Sequence, residues 1–414
     1  MKILQLCKKY PHPPKDGEII AVTNLSNALH QLGAEVHGLV MNTARHPVDE
    51  ARYANDLPQY TRLESVRVNN TLNPLDAALA LARNQSYHIT RFVSETYRAK
   101  LISILRRERF DVVQLETVFL APYIPTIRTY APDARIALRS HNVEHEIWQR
   151  QADNAPLLPK GWYLKILARQ LRRYEVAQLK NVDLLVPISS RDRRTLRQLG
   201  YAGPAQTTPI GIDARDYRPD ATSFDRTPSV SFIGSLDWMP NQEGLCWFLD
   251  KIWGRIERAF PDLHLHVGGR NTPQRWLGSR RASVTFHGEV PCAKRFLNQH
   301  SLSVVPLLSG SGMRAKILEA MALGKVVITT AIGLEGIDAR NREEVLIANT
   351  PAEFEAAFAF ALANPKHLRE MGRRARQFVE ERYDNLHIGR ALMEAYELQL
   401  PRRTAVQSLT ARVV

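Results

Sequence analysis

The residues best placed by type and spacing to do chemistry lie between positions 310 and 324. They read Gly310, Ser311, Gly312, Met313, Arg314, Ala315, Lys316, Ile317, Leu318, Glu319, and then Ala-Met-Ala-Leu-Gly. Two glycines allow a backbone to approach a ligand closely. Arg314 and Lys316 open a helical pattern with two cations, where the helix dipole alone disfavours positive charge. A bound anion removes that conflict. Glu319 sits among Ile317, Leu318, Ala320, Met321, Ala322 and Leu323, and a helix apolar nearly all round is buried. A carboxylate there needs partners. Either a ribose diol supplies them, or an internal bridge to Lys316 or Arg314 does.

Three further loops carry candidate residues. Gly17 closes a loop rich in Pro and Lys where a helix is expected to begin, a place suited to phosphate. His141 follows the expected strand 135–139 directly, flanked by Arg139 and Asn142, and is placed to donate to a phosphate or sugar hydroxyl. Glu144 and His145 read as surface or supporting groups of the next helix. Gly234, Ser235, Asp237 and Asn241 follow the expected strand 230–234 and face phosphate without matching a Walker loop or G-x-G-x-x-G; Asp237 could equally cap the next helix.

Strand ends must position these loops. Apolar runs at residues 3–6, 36–41, 111–115, 135–139 and 184–188 read as strands, with helical patterns such as 89–107 and 162–180 between them. A break rich in Pro and Gly spans 203–213. A second series places strands at 230–234, 263–268, 284–287, 303–306 and 326–330, with Phe248, Ile252, Ile256 and Phe260 as a helical stripe. Alternating strands and helices predict α/β architecture: two doubly wound, Rossmann-like domains facing a cleft. Expected bounds are 1–206 and 207–384, with a helix at 385–400 returning to the first domain and 401–414 as a loose tail. Ligands bind beyond the carboxyl ends of such strands, where all four loops fall.

The 414 residues include 44% hydrophobic and 24% charged side chains, which excludes wholesale disorder. No run reaches the ~18 apolar residues of a membrane span. The N-terminus lacks the apolar core of a secretion signal. Cys7, Cys246 and Cys292 have no metal-ligand spacing, so a disulfide scaffold and a zinc cluster are both disfavoured and a reducing cytoplasm is expected. The formal charge is +14, concentrated in residues 1–210, where 29 basic residues face 19 acidic ones. Such a balance suits anionic partners.

With these motifs in view, the chain resembles the family-4 glycosyltransferases of GT-B fold, over nearly all its length. The stretch 310–324 followed by 326–330 is the most specific part; 13–17, 140–146, 187–189, 209–213 and 234–241 support it. The resemblance implies a retaining transferase of bacterial type that needs no metal and no cofactor, with a nucleoside diphosphate sugar as co-substrate. It places Gly17 near the donor phosphates or acceptor, His141 beside the donor sugar, Lys316 and the glycine loop 310–313 at the diphosphate, and Glu319 at the ribose; Arg314 is expected to join Lys316 in stabilising the leaving group's charge. The chain departs from the family pattern in four places. Glu18 stands for the second glycine of the first loop, and Ser311 for the first of two paired carboxylates. The Arg and Lys usual after the first strand of the second domain are missing, with Ser235 and Asn241 nearby, and Ile210 interrupts Pro-Asn-Gly.

The expected reaction moves a sugar to a hydroxyl acceptor, glycan or lipid-linked, in bacterial surface polysaccharide or glycolipid assembly. The chain contains no Asp-x-Asp, in keeping with metal-free stabilisation of the leaving group. A nucleotide-sugar epimerase on the same fold is the alternative enzyme, and no convincing pair of catalytic carboxylates is visible for it. A basic nucleic-acid-binding protein is the alternative of another class; the chain has no RRM, KH motif or zinc finger, and no nucleic-acid partner is expected. Residues 160–197 hold ten basic and three acidic residues beside Trp162, Tyr163, Ile166, Leu167 and Leu171. That pattern fits peripheral contact with an anionic membrane, equally a core-facing helix with a solvated basic face.

Overall fold

The apolar run at the N-terminus becomes the inner strand of a sheet. In the computed structural model, β1 (Lys2–Cys7) is flanked on both sides, and Ile3, Leu4 and Leu6 are fully buried. A parallel strand covered on both faces needs such a run. The structure describes all residues except 14–16, 46, 54–55, 154–159, 279–281, 311 and 401–414. Ser311 and the expected tail therefore lie outside the described residues.

The first sheet contains β1, β2 (Glu35–Thr43), β3 (Arg62–Val68), β4 (Val112–Leu115), β5 (Arg135–Ser140) and β6 (Leu184–Pro187). Its order is β3-β2-β1-β4-β5-β6, parallel throughout. The second contains β7 (Ser229–Ile233), β8 (His264–Gly268), β9 (Val284–Gly288), β10 (Leu302–Val305), β11 (Val326–Thr329) and the short β12 (Leu346–Ile347). Its order is β12-β11-β10-β7-β8-β9, again parallel. Both sheets are doubly wound α/β layers. Their strand order reverses between β1 and β4, and between β7 and β10. Such reversals open a crevice at the strand ends.

The helix Asn385–Gln399 returns to the first sheet's layer. Gly389 packs so closely on the helix Gly17–Gln31 that a Cβ there would lie 2.9 Å from the Ala28 Cβ. The Tyr396 hydroxyl on the same helix donates to Gln114 on β4.

Several expected elements differ in detail. The helix expected over 89–107 is two, Tyr87–Thr90 and Glu95–Arg107, because Ser94 caps the second by accepting from the Tyr97 N–H at 3.3 Å. The stripe Phe248, Ile252 and Ile256 is fully buried, but the chain widens into a π-type turn over Phe248–Trp253. Strands β3 and β12 and the helix Pro74–Ala82 were not foreseen. β3 is an edge strand, half-buried over most of its length, with charged residues interleaved, so it has no apolar run.

Candidate active site

A cleft of about 1100 Å³ lies between the two sheets, lined by loops that follow their strands. Gly17, His141, Ser235, Asp237, Asn241, Gly312, Met313, Arg314, Lys316 and Glu319 all line it. Gly234 and Gly310 are not among its lining residues but pack against residues that are. A Cβ on Gly234 would lie 2.7 Å from Asn241 Nδ2 and 3.1 Å from Lys316 Nζ. Arg314 packs against Gly310 in the same way.

The second domain's wall is built around Lys316, near the start of the helix Ala315–Ala322. Its ammonium donates to Ile233 O at 3.2 Å and Asn241 Oδ1 at 2.8 Å, and lies 5.0 Å from the Phe232 ring centre. Asn241 in turn donates to Ser235 O at 2.8 Å, tying the β7 loop to the helix. Burial, with Arg314 nearby, holds the Lys316 pKa down at about 7. Arg314 is buried, donates to Gly312 O at 2.6 Å and stands over the Trp238 ring. Burial pushes it down to about 10, against the pull of Glu335. Two cations held at reduced pKa beside open volume form a site that gains from an anion.

Glu319 takes a hydrogen bond from the Tyr217 hydroxyl at 3.0 Å, not an internal bridge to Lys316 or Arg314. Burial raises its pKa, opposed by Tyr217 and by Lys294. One carboxylate oxygen is thus engaged, and the side chain still lines the cleft. Asp237 does not cap the following helix: it accepts from the Ser235 hydroxyl, and Trp238 holds the cap position.

The first domain's wall centres on His141, which is buried and bonded through Nε2 to Glu116 Oε2 at 3.0 Å. Glu116 is fully buried just beyond β4 and also receives Arg139 at 3.3 Å and Gln5 at 3.3 Å. Burial raises the Glu116 pKa, but Arg139 and His141 outweigh it and the net shift is downward. Burial lowers the His141 pKa despite that carboxylate. Because its partner is a carboxylate, Nε2 is the donor of that bond, and Nδ1 is the ring's other polar atom.

Glu144 and His145 are not surface groups. Both are buried at the start of the helix Glu144–Asp153, where their backbone N–H groups reach Glu175 at 3.2 and 3.4 Å. Burial, with Glu175 and Glu18 adding repulsion, raises the Glu144 carboxyl to about 7. Glu18, beside Gly17 at the head of its helix, is held at about 2: burial opposes ionisation, but Lys8 at 3.1 Å and Lys9 at 3.4 Å prevail.

The two walls touch. Gly312 adopts φ +79°, and a Cβ there would fall 2.5 Å from Asn142 Oδ1 and 3.5 Å from His141 O. Arg150 of the first domain donates to Gly310 O and pairs with Glu335 at 3.1 Å, and Arg191 reaches Glu335 at 3.4 Å. Sequence reasoning missed Glu116, Tyr217 and this Arg150–Arg191–Glu335 clasp, because each pairing spans over 20 residues and no local pattern marks it. Among the described residues, one group has metal-ligand spacing: Glu35, His37 and Glu108. It sits at the opposite, amino-terminal ends of the strands, and Lys2 already pairs with both carboxylates, at 2.9 and 2.6 Å.

Comparison with known proteins now adds to this geometry. The family described as glycosyl transferases group 1 matches residues 227–364, and glycosyltransferase family 4 matches residues 20–216. Together they span most of both domains, and the chain belongs to this family of glycosyltransferases. An uncharacterized 44.6 kDa protein in the cps region of Klebsiella pneumoniae is 26% identical over 166 residues; the match spans 38% of this chain and 43% of that protein. The Anabaena protein HepE in complex with UDP-glucose superposes with TM-score 0.65 at 13% identity, over 96% of this chain and 100% of that one. Sucrose-phosphate synthase from Thermosynechococcus elongatus gives TM-score 0.68 at 18% identity, over 96% and 99%. At these identities the likeness establishes the GT-B fold. Among the described residues, no helix is long and apolar enough to cross a membrane.

Proposed function

We propose that this glycosyltransferase takes its sugar from a nucleoside diphosphate sugar held in the cleft, and transfers it with retention of anomeric configuration. The observation that carries the reading is the convergence of Lys316, Arg314, the Gly312 loop and Glu319 on one open volume. The diphosphate lies against Lys316 and the helix N-terminus, and the ribose against the free side of Glu319. As the bond from C1 to the phosphate oxygen breaks, negative charge grows on the departing diphosphate. Lys316 and Arg314 stabilise that growth, as electrostatic catalysis requires, so the proposal assigns no role to a metal. The acceptor hydroxyl attacks C1 on the same face and passes its proton to the departing phosphate oxygen. His141, fixed by Glu116, accepts a hydrogen bond from a sugar hydroxyl and acts as no general base. The complex of the Anabaena neighbour with UDP-glucose supports the donor class. Incubation with a panel of nucleotide sugars and a hydroxyl acceptor, with the product's anomeric signal read by NMR, tests both points; an inverted product contradicts retention.

The acceptor is a glycan or lipid-linked hydroxyl in surface polysaccharide or glycolipid assembly, and the relative from a cps region supports that setting. The reading places the enzyme in the cytoplasm, in peripheral contact with anionic membrane. In the helix Lys160–Gln178, Leu167 and Leu171 are buried and cannot meet lipid, while Lys165, Arg169, Arg172 and Arg173 are exposed. Exposed Trp162 and the exposed Leu72, Leu75 and Leu79 on and before the neighbouring helix Pro74–Ala82 supply apolar contact instead. Each cation near such a surface adds about 1 kcal/mol.

A further inference from the structure

A second, smaller cavity of about 120 Å³ opens beside the cleft, at the carboxyl ends of β1, β2 and β3. Its walls carry Lys8 and Lys9 after β1, Thr43 at the end of β2, Arg45 beyond it, Asn70 after β3, and Arg91 from the turn before the helix Glu95–Arg107. Lys9 and Arg45 also line the main cleft, so the two spaces are contiguous. Four cations thus converge on a volume the size of one small group. Glu18 engages Lys8 and Lys9, and among the described residues no carboxylate pairs with Arg45 or Arg91. Two polar atoms on these walls are buried without a hydrogen-bond partner. They are Thr43 Oγ1, on a residue only 2% exposed, and Arg91 Nε. A buried donor left unmet is costly, and a ligand oxygen that meets it recovers that cost.

We propose that this pocket binds a phosphoryl group on the acceptor, separate from the donor diphosphate. A neutral sugar would leave Arg45 and Arg91 without a countercharge. A phosphoryl group offers acceptor oxygens to Arg45, to Arg91 Nε and to the Thr43 hydroxyl at once, and its charge balances the excess. The strand ends of an open α/β sheet are where such a ligand is expected. Assigning the group to the acceptor rests on the transferase reading above; the anion site itself does not.

Calorimetric titration with inorganic phosphate at pH 7 tests the site. Wild-type protein binds it, Arg91→Gln weakens binding at least tenfold, and Lys316→Met leaves this binding in place. Arg45→Gln, at an exposed position, gives a several-fold loss and serves if Arg91→Gln melts below the wild type. No phosphate binding, equal binding in wild type, Arg91→Gln and Arg45→Gln, or loss in Lys316→Met alone each overturns the proposal. Nucleotide-sugar binding by Arg91→Gln reports separately on the transferase reading: if it persists while phosphate binding is unchanged from wild type, only the pocket proposal falls. The source of the phosphoryl group follows from comparing farnesyl diphosphate with inorganic pyrophosphate. Tighter, Arg91-dependent binding of the prenyl compound supports a lipid-linked acceptor, and equal Arg91-dependent affinities support a soluble phosphorylated one.

Discussion

Replacing Lys316 with methionine should make the empty protein more stable and the enzyme nearly inactive. The Lys316 pKa is about 7 in the fold against 10.5 for the free side chain. At ~1.36 kcal/mol per unit, holding the charge costs about 5 kcal/mol below pH 7. Methionine removes that cost but leaves Ile233 O and Asn241 Oδ1 without their donor, a loss of about 1.5 kcal/mol each. The net gain at pH 6 is of order 2 kcal/mol, or roughly 4–8 °C in melting temperature if the second domain melts as a unit. The sign reverses with pH. Between about 7 and 10.5 the unfolded chain keeps the lysine proton and the folded chain does not, so wild-type stability rises with pH across that window. By pH 9 the cost of Lys316 has fallen to about 2 kcal/mol and the advantage of methionine is gone. Differential scanning fluorimetry of both proteins at pH 6 and 9, without ligand, reads the effect. A variant that melts at or below wild type at pH 6, with no pH dependence in the gap, refutes the claim that Lys316 is a charge awaiting an anion. In parallel, the variant should lose more turnover than donor affinity, because charge on the leaving group grows toward the transition state.

His141→Ala should lower turnover tenfold or more in the protein that remains folded, by removing an acceptor from a sugar hydroxyl; steady-state kinetics showing full activity would take His141 out of the site. Gly312→Ala forces a side chain into a left-handed φ at about 1–2 kcal/mol and drives its Cβ toward Asn142. Turnover should fall, and Asn142→Gly in the same chain should recover part of it, as a kinetic comparison of the two proteins would register. Sedimentation with anionic vesicles at low salt should carry the protein down, less so at high salt or when Arg169, Arg172 and Arg173 become Glu; wild type left in the supernatant contradicts the membrane contact.

The sequence discloses what is local and apolar. Buried parallel strands such as β1 and β10 are unbroken hydrophobic runs, and they point to the loops after them, which is why the amino-acid order alone puts Gly312, Lys316 and His141 just past strand ends. The charged edge strand β3 has no such run. The exposed leucines of the helix Pro74–Ala82 were illegible for the opposite reason: apolar residues read as core, and only packing reveals that Leu75 and Leu79 face outward. Roles set by distant partners were equally hidden. Glu319 was visible as an anomaly, but Tyr217 as its partner was not. His141 was visible, yet its protonation depends on Glu116, which sits 25 residues away.

The central claim is that one nucleoside diphosphate sugar binds through the Glu319–Lys316 wall. Calorimetry of a nucleotide-sugar panel against wild type and Glu319→Ala tests it most directly. The account predicts that one donor binds wild type and binds Glu319→Ala more weakly by about 1.5–3 kcal/mol, the range for hydrogen bonds to a charged group, while the variant remains folded. Donor affinity unchanged in Glu319→Ala, or no binding of any nucleotide sugar to the folded wild type, would contradict it.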